Sequence, residues 1–82
     1  MKGDRTQRIL AAVILQMKCL RMAQGLSHEK LAQRTGLSRA AISHIENGVR
    51  KPSLLVCIII ADGLGKNFSH IVRMAEKNEK NL

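Results

Sequence analysis

Apolar residues recur along this chain at three- and four-residue intervals, and strand-like alternation is not sustained in any segment. Leu10, Val13, Ile14, Met17 and Leu20 fall on one face of a helix over 4–23, for which Asp4 is a candidate cap. Gln24-Gly25 stops it, with Gly25 suited to the left-handed position after a helix. Ser27 opens a short second helix over 28–34, and Thr35-Gly36-Leu37 makes a tight turn in which Gly36 takes a positive φ. Ser38 caps a third helix that runs to Glu46 and stops at Asn47-Gly48. After Lys51-Pro52, Ser53 caps a fourth helix through Gly63, with Leu54, Cys57, Ile58, Ala61 and Leu64 as its buried stripe. The β-branched run 54–60 tempts a strand assignment. The Ser cap, the length and the spacing favour helix. Asn67 caps a fifth helix with Phe68, Ile71, Val72 and Ala75 on one apolar face. The expected architecture is all-α, five helices in a single domain over residues 1–75, followed by a frayed polar tail over 76–82.

Composition narrows what such a bundle does. Hydrophobic residues are 45 % of the 82, enough for a core, but Phe68 is the sole aromatic. That argues against modules that stack bases on aromatic platforms. Lysine and arginine total 14 against 6 acidic residues, a formal charge of +8. Residues 1–51 hold ten basic and three acidic residues, and residues 52–82 hold four and three. A one-sided cationic excess suits a polyanion, double-stranded nucleic acid above all, although a solvated soluble surface gives the same totals.

The reactive side chains do not assemble an enzyme or a metal centre. Cys19 and Cys57 lack CxxC spacing and sit in apolar helical runs, so both are expected as buried thiols. His28, His44 and His70 have no partners at ligand spacing, and no metal or cofactor is expected. The pairs Ser27-His28, Ser43-His44 and Ser69-His70 are adjacent in sequence. Neighbours on a helix diverge by about 100°, which disfavours a nucleophile–base contact. The basic start and the apolar run 9–15 resemble a leader weakly. The run is short and Lys18 follows at once, so a cytoplasmic protein without a membrane span is expected.

Two short helices joined by a three-residue turn containing glycine are the layout of a helix-turn-helix. Leu31 and Ala32 would face the next helix, and Leu37, Ile42 and Ile45 would close the core. Ser38, Arg39, Ala40, Ser43 and His44 are left outward. The stretch LRMAQGLSHEKLAQRTGLSRAAISHIENGVRKPS, followed by IIIADGLG, resembles the phage-repressor-like helix-turn-helix family of the Cro/Xre type. The landmarks run in order over about half the chain: Leu-Ala, the turn glycine, Ile-Ser-x-Ile-Glu-x-Gly, Lys-Pro-Ser and Ala-x-x-Leu-Gly. The resemblance implies a five-helix lambda-repressor-like domain that regulates transcription by binding double-stranded DNA.

Residue roles follow from that resemblance by position. Arg21 and Glu46 take the places of a partly buried ion pair. Ser27, His28, Asn47, Arg50 and Lys51 would grip phosphates, although His28 stands where the family usually has Gln. Ser38, Arg39, Ala40, Ser43 and His44 would meet base edges, with Arg39 bonding guanine. Leu55, Val56 and Ile59 are apolar where relatives are commonly polar, and Leu15, Cys19 and Met22 make a second stripe on the first helix. A small core leaves part of this uncovered, and leftover apolar surface marks an interface. A homodimer using Leu55, Ile59, Phe68, Ile71 and Val72 is expected, reading an inverted-repeat operator as a repressor or as a controller protein of the restriction–modification kind. The alternative is an antitoxin-type protein that holds a toxin partner through its apolar helix surfaces.

Overall fold

The computed structural model describes residues 3–80. Five helices account for the fold: α1 (Gly3–Ala23), α2 (His28–Thr35), α3 (Arg39–Glu46), α4 (Leu54–Gly63) and α5 (Phe68–Lys80). Serine starts three of them. The Oγ of Ser27, Ser38 and Ser53 accepts the backbone N–H of Lys30, Ala41 and Val56 at 3.0, 3.0 and 3.1 Å. Each cap satisfies one of the first-turn donors that a helix cannot bond internally, worth about 1 kcal/mol. Asp4 is not a cap, because α1 already includes Gly3. In the first turn its charge still favours the positive end of the helix.

One core draws on every helix. Val13 and Met17 of α1, Leu31 of α2, and Ile42 and Ile45 of α3 meet Cys57, Ile60 and Ala61 of α4 and Ile71 and Ala75 of α5. α5 lies chiefly along α1, while α2 and α3 pack on each other and on α4 and α1 respectively. α2 and α4 approach unusually closely at Gly63. A Cβ there would sit 2.5 Å from Thr35 Cγ2.

The structure corrects several expectations. In α4, Leu54 and Ile58 are 66 % and 44 % exposed, and Ile60 takes their place in the core. Nearly every residue from Leu54 to Ala61 is apolar, so the pattern along the helix carries no phase. Cys19 is exposed and only Cys57 is buried. Ile71 is wholly inside the monomer, which removes it from any interface, and Phe68 and Val72 pack half-buried on the core. Residues 76–80 continue α5 and are tied to α1. Arg8 Nε meets Glu79 Oε1 at 3.1 Å, and Asn78 Nδ2 donates to Gln16 Oε1 at 3.4 Å. Such cross-helix bonds cannot be seen from a tail's polarity. Residues 81 and 82 of the expected tail lie outside the described residues. No single helix among the described residues is long and apolar enough to cross a membrane.

Candidate nucleic-acid interface

The turn between α2 and α3 is held by Thr35 and Gly36. Gly36 has φ 79°, and its N–H donates to the Ala32 carbonyl. Thr35 Oγ1 donates to the Leu31 carbonyl at 2.9 Å and accepts from Leu37 N–H at 3.2 Å. Leu31 and Ile42, both 1 % exposed, lock the two helices on the core side. α3 therefore has a fixed outer face.

Of the residues expected to read bases, Ser38, Arg39, Ala40 and His44 are exposed and Ser43 is half-buried. They lie on the start and one side of α3, as a recognition helix requires. Ser38 Oγ already accepts the Ala41 N–H, which leaves its hydroxyl proton and one lone pair to offer a base, and the proton to offer a phosphate. Ser43 Oγ accepts from Asn47 Nδ2 at 3.4 Å. Arg39 makes no hydrogen bond or ion pair with another described residue, which leaves its whole guanidinium fork available.

Next to α3, Asn47, Arg50 and Lys51 are exposed. Gly48, at φ 75°, redirects the chain, and the Val49 and Arg50 N–H groups close back onto the His44 carbonyl at 2.9 and 3.2 Å. Two cations and an amide thus follow α3 on a loop bonded back to it. Ser27 is exposed at the start of α2, with its Oγ bonded to Lys30 N–H.

Beneath this surface Arg21 reaches from α1 to the last residue of α3. Its Nε and Nη2 donate to Glu46 Oε2 and Oε1 at 2.7 and 3.0 Å, and its Nη1 to the Leu26 carbonyl at 2.6 Å. Side-chain exposure is 11 % for Arg21 and 8 % for Glu46. The fork geometry satisfies both partners, which a pair so withdrawn from water needs. Burial pushes the Glu46 carboxyl up, but hydrogen bonds and charge from Arg21 and His28 outweigh it and hold the group below its ordinary value of 4.5.

His28 joins the same ion pair. Its Nε2 lies 2.9 Å from Glu46 Oε1, which leaves Nδ1 as the ring nitrogen without a partner among the described residues. The pairing was not legible, because the 18 residues separating the two carry no local signal. Among the described residues no group of three or more His, Cys, Asp or Glu is placed to hold a metal ion.

Known proteins show the same pattern. Residues 17–71, more than half the chain, match the family described as helix-turn-helix. The chain is 39 % identical over 49 residues to the uncharacterized HTH-type transcriptional regulator YqaF of Bacillus subtilis (strain 168). That match covers 60 % of this chain and 64 % of the relative, so the chain spans less than two thirds of the relative's length. No solved structure matches it.

Proposed function

The chain belongs to the helix-turn-helix family, in its Cro/Xre branch of DNA-binding domains, and from that premise we propose that it regulates transcription by binding an operator as a homodimer. The observation that carries the reading is the outer face of α3. Arg39 stands unpaired at its start, and Arg50 and Lys51 follow on a loop that is tied to the same helix and passes by Leu37 and Ala41. Arg39 bonds guanine O6 and N7. Ser38, Ser43 and His44 add polar contacts, and Ala40 meets a thymine methyl. Ser27, Asn47, Arg50 and Lys51 set the register on the phosphates.

One such unit makes few base contacts. Two copies related by a two-fold axis read half-sites about 34 Å apart, so the target is an inverted repeat. The dimer forms through the apolar start of α4, where Leu55 and its exposed neighbours Leu54 and Ile58 make one patch and Ile59 is half-buried at its edge. The simplest action of the bound dimer is repression, by occluding polymerase.

Selection of sites from random duplex DNA, repeated with Arg39→Ala, tests this. The expected result is an inverted repeat with one position per half-site relaxed in the variant, a discrimination loss of about 1–3 kcal/mol. Weak, salt-sensitive binding with no motif, unchanged by the substitution, refutes it.

A second reading has one observation in its favour. On α1, Leu15 and Met22 are 59 % and 60 % exposed beside exposed Cys19. Two mainly apolar grooves of about 310 and 260 Å³ flank Leu15. A toxin-type partner would seat there, and stoichiometric copurification of such a partner supports this reading over autonomous regulation.

A further inference from the structure

α5 carries a second basic surface. Arg73 and Lys77 stand one helical turn apart, and with Glu76 and Arg5 of α1 they line one open depression of about 360 Å³. All four side chains are exposed. Arg5, Arg73 and Lys77 make no ion pair or hydrogen bond with another described residue, whereas nearby Arg8 is paired with Glu79. Three cations therefore converge against a single carboxylate. Like charges one turn apart on a helix repel, and Arg5 sits in the first turn of α1, where the helix dipole disfavours a cation. Glu76 and the C-terminal end of the α5 dipole offset part of these costs, and an anion placed between the three cations would offset the remainder.

The form of the site indicates the anion. The depression is open and lined by charge, without the apolar walls that hold a small organic ligand. Guanidinium groups match phosphate oxygens in a bidentate manner. α5 packs chiefly on α1 and then on α4, and the depression is lined by residues of α1 and α5 alone, so this surface is built from other side chains than the one described above.

We propose that Arg5, Arg73 and Lys77 form a second contact for a phosphodiester backbone, engaging a DNA segment other than the one read by α3. The identity of the polyanion rests on the DNA-binding reading. The existence of the site does not.

The test uses the full chain, its Arg73→Glu/Lys77→Glu variant and the milder Arg73→Gln/Lys77→Gln variant, with thermal melting to confirm that each folds. Two quantities are measured: affinity for a short duplex carrying one selected site, and capture of a labelled second duplex by protein bound to immobilised DNA. Where selection yields no site, a short random duplex replaces the first. The expected result is short-duplex affinity within about twofold of the parent and second-duplex capture reduced about tenfold or more in the Glu variant, with the Gln variant between. The salt dependence of capture should also fall, by about two units of slope for the two phosphates no longer neutralised.

Unchanged capture overturns the proposal. An equal loss of short-duplex affinity also overturns it, by placing the patch inside the primary footprint. Pyrophosphate that abolishes capture at concentrations leaving short-duplex binding intact reassigns the patch to small phosphates and overturns the DNA assignment. If selection finds no operator motif but the α5 variants still lose capture, the recognition-face reading fails and this one stands.

Discussion

Glu46 accepts both prongs of Arg21 and lies within bonding distance of His28 with 8 % of its side chain exposed, so its ionisation is part of the fold. A carboxyl held below 4.5 in the native state binds its proton less readily than in the unfolded chain. Its contribution is complete above 4.5 and is lost as pH falls through the lowered native value. Urea denaturation between pH 7 and pH 3 should show stability falling on the acid side, with a shallower fall in Glu46→Gln. Glu46→Ala leaves Arg21 with only the Leu26 carbonyl, and should cost about 3–5 kcal/mol in the same measurement at neutral pH. The cysteines divide by environment. Burial pushes the Cys57 thiol above its ordinary value, while Cys19 lies open on α1. A disulfide reagent should titrate one thiol quickly in the native chain and the second only at the rate of opening, and Cys19→Ser should remove the fast phase.

At the scale of elements, the side chains of α2 close directly onto the Gly63 backbone of α4. Thr35 cannot readily yield there, because its hydroxyl is bonded to the Leu31 carbonyl and to Leu37 N–H, which fixes where its methyl points. Gly63→Ala improves intrinsic helix propensity by less than the interior value of about 1 kcal/mol, because Gly63 is the last residue of α4, and it drives a Cβ into that methyl, overpacking that costs about 1–3 kcal/mol. The substitution should be neutral to destabilising alone and stabilising when combined with Thr35→Ser, which deletes the methyl and keeps the hydroxyl. A double-mutant cycle by thermal melting measures the coupling, and strict additivity would refute the steric account. The starts of α2, α3 and α4 were legible because serine marks them chemically, whereas the start of α1 and the end of α5 carried no such mark. The phase of α4 was not legible, since a helix that is apolar almost all round can turn any side inward. Its orientation is set by Gly63 meeting Thr35 and by Ile60 reaching the core.

For the whole molecule, the balance between core and surface decides assembly. Twelve buried apolar residues make the core among the described residues, and Leu54, Leu55 and Ile58 remain outside on one end of α4. In the proposed dimer these residues lie against their symmetry mates. Sedimentation at micromolar concentration should give a dimer, and Leu55→Lys a monomer with its fold intact and operator affinity strongly reduced. A parent chain that sediments as a monomer refutes the interface. Charge acts over the same scale. With +8 on 82 residues, affinity for duplex DNA should fall linearly in log–log form with salt, with a slope of about 0.9 for each phosphate that the protein neutralises.

The sequence by itself determined five helices, the serine caps of three of them, the glycine turn and the exposure of Ser38, Arg39, Ala40 and His44 on α3, because each rests on chemistry local to a few residues. It also contained the Arg21–Glu46 pair, through family position rather than spacing. Only the tertiary structure decided that His28 turns to Glu46, that Ile71 is internal, that α4 presents Leu54 and Ile58 outward, and that α5 runs on to meet Arg8. Those outcomes depend on which faces of distant helices meet, and local periodicity carries no information about a partner 18 or 71 residues away.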